Sequence, residues 1–229
     1  MLGAVPTILL VRHGQASFGA SDYDELSPVG VRQAQAVAEH LAARGPAVTR
    51  IVSGGLRRQR GTAAPAAAAF GCEPVVDARW DEYAMDQILA TYSRTPVRAS
   101  VTEPGQATTS AEYQHLLDQA LGAWIAAGED SAGGCESWPA FSARVHEAAG
   151  ELAAGLGRGA TALVFTSGGV IAALCVALLE LPAASMLSFN RVAINTGITK
   201  LICGRRGITL VSFNDHGHLE LAGQAITYR

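Results

Sequence analysis

The stretch Ile8-Leu9-Leu10-Val11-Arg12-His13-Gly14 joins an apolar run to a cation, an imidazole and a glycine. Four consecutive apolar residues that end in charge and glycine are typical of a short buried strand. In open α/β sheets, ligands bind at the carboxyl ends of the strands, which is where Arg12 and His13 would then lie. Taken alone, the tripeptide fits a surface turn that carries a histidine equally well. The remainder of the chain decides between the two interpretations.

Two more segments repeat the pattern of strand, polar turn and helix. Arg50 to Val52 predict a strand that ends at Ser53, and Thr161 to Thr166 predict a strand that a Ser-Gly-Gly turn follows. Two further apolar runs, 198–203 and 208–213, predict a terminal hairpin. Strands that alternate with helices imply a three-layer α/β/α sandwich with a mostly parallel central sheet.

Length and composition describe a globular chain. Its 229 residues are 49% hydrophobic and 16% charged, so we expect a single domain over 1–229. Periodicity weakens from Trp80 to about Glu136, which predicts a cap or loop insertion at about 82–135. Within it, the Thr-, Pro- and Gly-rich stretch Thr95 to Ser110 is expected to be a loop or a mobile cap.

Charge and targeting signals point to a cytoplasmic protein with a small-molecule partner. The net charge of −3 argues against nucleic-acid or anionic-membrane partners. Gly159 to Leu179 is free of charge, but Thr166-Ser167-Gly168-Gly169 interrupts it, so we expect a buried strand, turn and helix. The N-terminus lacks a signal-peptide pattern, and the four scattered cysteines are typical of core thiols. Two apolar parts of the chain, the segment Leu163 to Leu181 and the terminal hairpin, are candidates for a homo-oligomer interface.

Polar clusters follow three of the predicted strands: Arg12-His13-Gly14, Ser53 with Arg58 just beyond it, and Thr166-Ser167-Gly168-Gly169. If the strands are parallel, these clusters meet at one edge of the sheet. Paired guanidinium groups bind the oxygens of a phosphate, and the free amides of a helix start favour the same anion. An imidazole among such groups can attack phosphorus and split a phosphoryl transfer into two displacements through a phosphohistidine.

At this point the chain resembles the histidine phosphatase superfamily, which includes the cofactor-dependent phosphoglycerate mutases. Arg12-His13-Gly14-Gln15 is similar to the family's signature. The helix-start motif L-[ST]-x-x-G-x-x-Q-A is matched by Leu26-Ser27-Pro28-Val29-Gly30 with Gln33 and Ala34. The motif S-x-L-x-R-A-x-Q-T-A is matched by Ser53 to Leu56, Arg58, Thr62 and Ala63, with one extra glycine and with Gly61 at the usual glutamine. The resemblance implies a phosphoglycerate mutase-like sandwich.

The resemblance also implies roles for individual residues. His13 would accept the phosphoryl group, and Arg12, Arg58 and Gln15 would bind the phosphate. Glu82 stands where the family places its proton donor, a role that requires a pKa raised by partial burial. The neighbouring Asp81 is the nearest rival, and a solvated loop acid is the alternative for Glu82. No cofactor and no metal is implied.

One turn departs from the family pattern. The family's second histidine usually sits in an S-H-G-G turn, whereas this chain has Thr166-Ser167-Gly168-Gly169. Ser167 and Gly168 are still expected to bind the substrate phosphate. A neutral hydrogen bond contributes about 1 kcal/mol where a charged one contributes about 1.5–3 kcal/mol, so we expect a rate about tenfold lower rather than none.

Two histidines near the C-terminus offer a substitute for the missing imidazole. His216 and His218 follow the last predicted strand, whose end is expected to return to the same edge of the sheet. The hypothesis is that one of them reaches the phosphate pocket. The alternative is a C-terminal histidine bonded to backbone.

Three functions stay open at this stage. The segment Met85 to Ser131 has only Arg94 and Arg98 as cations, which is a poor composition for gripping a second phosphate. The sequence therefore favours a phosphatase that hydrolyses a small phosphomonoester over a phosphoglycerate mutase-type phosphotransferase. A weakened module that binds a phospho-ligand or a protein is the third alternative, and Ser167, Gly61 and Gly55 are the irregularities that would mark it.

Overall fold

Six strands form one sheet in the computed structural model, which describes residues 5–17, 24–93, 110–130 and 133–228. The strands are β1 (Thr7–Arg12), β2 (Val48–Ser53), β3 (Pro74–Val76), β4 (Thr161–Thr166), β5 (Ile198–Gly204) and β6 (Gly207–Asp215). Their order across the sheet is β3-β2-β4-β1-β5-β6. The first four are mutually parallel, and β5 and β6 extend the sheet in antiparallel fashion. The predicted mostly parallel sheet is confirmed.

Helices cover both faces of this sheet. They are α1 (Pro28–Arg44), α2 (Arg57–Phe70), α3 (Met85–Tyr92), α4 (Ser110–Ala127), α5 (Trp138–Ala154), α6 (Gly168–Leu178), α7 (Met186–Val192) and α8 (Gly217–Leu221). Side chains of β1 alternate between two cores: Leu9 and Val11 pack with α1 and α2, whereas Ile8 and Leu10 pack with α4, α5 and α6. The three-layer sandwich is therefore confirmed.

Helix α1 begins and ends at the residues that the sequence indicates. Ser27 is its N-cap and accepts a hydrogen bond from the Gly30 amide at 3.1 Å, with Pro28 in the first turn. Gly45 ends the helix in the left-handed conformation, with φ of 60°. Only glycine adopts that conformation without steric cost, which explains why Gly45 terminates the helix.

The segment between α2 and α5 is more helical than its weak periodicity predicts. A cap or loop insertion is expected at about 82–135, and the described residues of this range form α3 and α4. Leu117, Leu121 and Trp124 are buried in one core cluster with residues of the sheet, at a spacing of four and three residues along α4. Their helical spacing is the signal that the composition of the segment obscured. The expected loop at Thr95 to Ser110 lies outside the described residues except for Ser110, which begins α4.

The uncharged stretch Gly159 to Leu179 is a strand followed by a helix. Residues 161–166 form β4 and residues 168–178 form α6, and both are buried in the sandwich. Across the described part of the chain, no helix combines the length and apolar character that a membrane span requires.

The carboxyl ends of β1, β2 and β4 reach the same level of the sheet. Arg12 pairs with Thr166, and Ser53 pairs with Phe165, one residue earlier. Residues that follow these strands therefore emerge side by side at one edge. The start of α1 packs directly against this edge, because a Cβ on Gly14 would lie 2.5 Å from the carbonyl oxygen of Gly30.

Candidate active site

His13 lies at the centre of this edge with only 5% of its surface exposed. Its Nδ1 is 2.8 Å from the carbonyl oxygen of Gly14, which can only accept, so Nδ1 carries the proton. Burial, and then the nearby charges of Arg58 and Arg12, lower the pKa of His13 well below its usual value. The imidazole is therefore neutral near pH 7, and its lone pair is on Nε2.

Arg58 contacts that lone pair from the first turn of α2. Its Nε donates to His13 Nε2 at 3.2 Å, and its Nη1 donates to Asp24 Oδ1 at 2.7 Å. The guanidinium is thus oriented by a carboxylate and lies within bonding distance of the reactive nitrogen. A guanidinium held in this way can bind the oxygens of a phosphate.

Arg12 borders the same pocket from the end of β1. Its Nη1 donates to the backbone carbonyls of Ala193 and Tyr228, the latter at 2.8 Å. Its Nε lies 3.4 Å from the position that a Cβ on Gly168 would occupy. Arg12 and the first residue of α6 therefore face each other, as the sequence predicts for a shared anion site.

Glu82 lies on the opposite side of that turn. Its Oε2 accepts from the Gly169 amide at 3.0 Å, and its Oε1 accepts from the Tyr83 amide at 3.3 Å. Loss of solvent raises the pKa of Glu82, an effect that its hydrogen bonds and the charges of Arg58 and Arg12 only partly oppose. A carboxyl with a raised pKa beside an anion site is suited to donate a proton.

Asp81, the rival acid, is held by a different part of the fold. Its Oδ1 accepts from the Gly55 amide at 2.5 Å, so it stabilises the turn before α2. Burial raises the pKa of Asp81 as well. Glu82 is the better candidate because its carboxylate contacts the helix start that faces Arg12.

Gln15 is bonded to the start of α1. Its Oε1 accepts from the Ser27 hydroxyl at 2.9 Å, and its backbone amide donates to Gln33 Oε1 at 2.9 Å. These bonds tie the signature segment to the helix-start motif. They explain why the two motifs occur together.

Ser167 is fully buried at the turn between β4 and α6. Its Oγ accepts a hydrogen bond from Gln59 Nε2 at 2.9 Å. The preceding Thr166 donates to the carbonyl oxygen of Trp80 at 2.6 Å. The turn that would carry the second histidine thus holds a neutral hydroxyl with a defined donor.

The structure does not bring His216 or His218 together with His13. His218 Nε2 pairs with Thr196 Oγ1 at 3.1 Å, and its ring lies 5.5 Å from that of His40 on α1. His216 Nδ1 is 2.8 Å from the carbonyl oxygen of Asn214. These contacts match the alternative of a C-terminal histidine bonded to structural partners, and the His218 ring lies against α1.

Three further residues shape the site although the motifs do not single them out. Asn195 Nδ2 donates to the His13 carbonyl at 2.9 Å from a position 182 residues away. The Tyr83 hydroxyl accepts from Asn190 Nδ2 at 3.2 Å, and a Cβ on Gly169 would lie 2.4 Å from the Tyr83 ring. Gln59 has a sequence signal, because it occupies the alanine position after the arginine in the motif matched by Ser53 to Ala63.

The model of the histidine phosphatase superfamily (branch 1) matches residues 8–216, from β1 to the end of β6. The chain belongs to this superfamily. The match includes every element that contributes to the site, so the resemblance of the motifs is confirmed at the level of the family. A comparison with curated proteins finds no significant match.

Solved structures of phosphatases share the fold of this superfamily member. A mycobacterial glucosyl-3-phosphoglycerate phosphatase is 28% identical with a TM-score of 0.64, over 91% of this chain and 98% of that chain. A protein described as mycobacterial hydrolase 1 is 28% identical with a TM-score of 0.65, over 91% and 97% of the two chains. A phosphoserine phosphatase from Entamoeba histolytica shares the fold at 22% identity, with a TM-score of 0.64 over 93% and 99%. The family and these neighbours support a phosphoryl-transfer enzyme.

Proposed function

We propose that this superfamily member hydrolyses a small phosphomonoester through a phosphohistidine on Nε2 of His13. The observation that carries the proposal is the Nδ1 contact with the Gly14 carbonyl at 2.8 Å, which fixes the tautomer. A buried, neutral imidazole with its lone pair on Nε2, next to Arg58, is a prepared nucleophile.

In the first step, His13 Nε2 attacks phosphorus and the bond from phosphorus to the ester oxygen breaks. Arg12, Arg58 and the amide of Gly168 bind the non-bridging oxygens, whose charge they stabilise. The protonated carboxyl of Glu82 gives its proton to the departing oxygen, so the alcohol leaves uncharged. The product of this step is phosphohistidine with Glu82 ionised.

In the second step, water attacks the phosphorus of the phosphohistidine and the bond to Nε2 breaks. The Glu82 carboxylate takes a proton from the attacking water, which restores the acid for the next cycle. Inorganic phosphate then leaves, and His13 returns to its neutral form. One residue thus serves as acid and then as base.

Hydrolysis is favoured over mutase action by the charge of the cap. Helices α3 and α4 contain no Lys or Arg, and Arg191 on α7 is paired with Asp118 at 2.8 Å. Arg94 and Arg98, the two cations within the cap segment, lie outside the described residues. A mutase must grip a second phosphate, and the described part of the cap provides little for that purpose.

The test is turnover of 4-nitrophenyl phosphate, followed by a panel of small phosphoesters. Sugar phosphates and phosphorylated hydroxy acids come first, since a structure at 28% identity is a glucosyl-3-phosphoglycerate phosphatase. We expect wild type to release phosphate and His13→Ala to lose this activity. Equal, negligible rates in both would instead favour a phospho-ligand-binding module, and faster phosphoglycerate mutase turnover would favour a mutase.

A further inference from the structure

Gln59 lies directly after Arg58 in the first turn of α2, and none of its surface is exposed. Its Oε1 accepts from the Leu56 amide at 3.2 Å, while its Nε2 donates to the Trp80 carbonyl at 3.1 Å and to Ser167 Oγ at 2.9 Å. A reversed carboxamide would oppose donor to donor at Leu56 and acceptor to acceptor at Trp80. The network therefore permits one orientation, in which Gln59 is the donor to Ser167.

Because Ser167 Oγ accepts the hydrogen bond from Gln59, the hydrogen of the Ser167 hydroxyl must point to a different group. The carbonyl oxygen of Trp80 already accepts from Gln59 and from Thr166 Oγ1, which occupies both of its lone pairs. Within residues 5–17, 24–93, 114–130 and 133–228, the Ser167 hydroxyl donates to no protein acceptor. The hydroxyl belongs to the turn whose next residue, Gly168, faces Arg12, so its hydrogen is available to an oxygen bound there.

The glycine before α2 makes room for this arrangement. A Cβ on Gly54 would lie 2.0 Å from Gln59 Oε1, so any other residue would displace the carboxamide. Two departures from the family motifs are therefore connected, the glutamine at the alanine position and the serine at the histidine position, and Gly54 leaves room for the glutamine. Because Gly54, Gln59 and Ser167 form one packed and hydrogen-bonded group, they act as a unit.

We propose that Gln59 is a positioning residue that directs the Ser167 hydroxyl hydrogen onto an oxygen of the transferring phosphoryl group. The inference rests on the proposed function. No proton is transferred in this arrangement. Gln59 donates a hydrogen bond to Ser167, and Ser167 donates a hydrogen bond to the phosphoryl oxygen. A hydroxyl that accepts one hydrogen bond becomes a stronger donor of another, so this neutral pair takes over the task of an imidazole.

A double-mutant cycle with 4-nitrophenyl phosphate tests the coupling. We expect Ser167→Ala and Gln59→Met each to lower kcat by about tenfold with little change in KM, because the bond is stronger in the transition state. The double variant should be no slower than Ser167→Ala alone. Gln35→Met on the exposed face of α1 is the matched control and should leave kcat unchanged. The proposal would be overturned if the double variant had a kcat about a hundredfold below wild type, or if Gln59→Met had an unchanged kcat.

Gln59→Glu provides a second readout that does not depend on a truncated side chain. The introduced carboxyl can still donate to Ser167 while it is protonated. Once ionised, it can only accept, and it would withdraw the Ser167 hydrogen from the substrate. We therefore expect the ratio of variant to wild-type kcat to rise as the pH falls. The charged groups nearby, Asp81, Glu82, Arg58 and His13, are common to both proteins and cancel in the ratio. A ratio that is flat with pH would overturn the proposal.

The two proposals fail in different ways. If wild type shows no phosphatase activity that depends on His13, the proposed function fails. If that activity is present but Gln59→Met matches wild type, only the positioning role of Gln59 fails. Thermal melts of every variant separate a loss of folding from a loss of rate.

Discussion

The burial of Glu82 keeps its carboxyl protonated to higher pH than usual, although the hydrogen bond from the Gly169 amide partly opposes this rise in pKa. A general acid matters most when the leaving group is a poor one. We therefore expect Glu82→Gln to lower kcat by about 10²–10⁴-fold on an alkyl phosphate and much less on 4-nitrophenyl phosphate. Asp81→Asn is the matched control. If Glu82→Gln lowered kcat by the same factor on the alkyl phosphate and on 4-nitrophenyl phosphate, Glu82 would not be the group that protonates the leaving oxygen.

The pH profile of kcat/KM follows from the same two pKa shifts. The lowered pKa of His13 extends the neutral imidazole to lower pH, and the raised pKa of Glu82 extends the protonated carboxyl to higher pH, so both shifts increase the fraction of enzyme that holds the two forms together. Activity should fall as the pH rises through the pKa of Glu82, and again as the pH falls through the pKa of His13. Profiles of wild type and Glu82→Gln would check this, since the alkaline limb should be lost in the variant.

Residue roles are predictable from sequence only where the signal is local. His13 and Arg58 each stand in a short motif that follows a strand end, so their meeting follows from the parallel sheet, whereas Glu82 is marked by the short motif Trp80-Asp81-Glu82-Tyr83 after β3. Gln59 and Asn195 are different, because their partners are 108 and 182 residues away in the chain. Such contacts depend on tertiary packing, which the order of residues does not display.

At the level of elements, the contact between the signature segment and α1 has a strict steric requirement. A Cβ on Gly14 would lie 2.5 Å from the Gly30 carbonyl oxygen, whereas Gly150 in α5 has nothing within 4 Å. We expect Gly14→Ala to lower the free energy of unfolding by about 1–3 kcal/mol, as overpacking does. Gly150→Ala, the matched control, should raise it by up to about 1 kcal/mol because alanine favours the helix. Urea unfolding measures the free energy of unfolding of both variants. Similar changes in the two would contradict the close packing of Gly14 against Gly30.

Prediction of elements from sequence works where capping and strand patterns are strong. β4 spans the predicted residues 161–166, and α1 begins directly after Ser27 of the predicted helix-start motif. Helices α3, α4 and α7 are less apparent. The seven residues of α7 span only two turns and contain Ser, Asn and Arg among apolar residues, so periodicity cannot distinguish them from a loop.

For the whole molecule, the buried histidine on α8 links stability to pH. Burial lowers the pKa of His218 to about 4, while the unfolded chain has its usual value near 6.5. Below pH 6.5 the unfolded state therefore binds more protons than the folded state, and the folded state loses stability as the pH falls. The loss from His218 should reach on the order of 3 kcal/mol by about pH 4.

Urea unfolding at about pH 7 and about pH 4.5 measures this loss. His218→Gln should reduce the difference between the two pH values, and the exposed His115→Gln, as the control, should not. An unaltered pH dependence in His218→Gln would mean that another group is responsible.

The two-sided sandwich is predictable as a whole because strands alternate with helices along the chain. The way in which α3, α4, the C-terminal segment and His218 of α8 are arranged around the sandwich is not predictable from the sequence. Arg12 Nη1 donates a hydrogen bond to the backbone carbonyl of Tyr228, which lies 216 residues later in the chain, and no local sequence pattern indicates such a contact.

The most direct test of the account is rapid-quench labelling with a phosphoester that carries radioactive phosphate. We expect wild type to acquire an acid-labile, alkali-stable phosphoryl label on His13 that disappears with turnover. His13→Ala should acquire none. A label on another residue, or turnover by His13→Ala at the wild-type rate, would contradict the assignment of His13 Nε2 as the nucleophile.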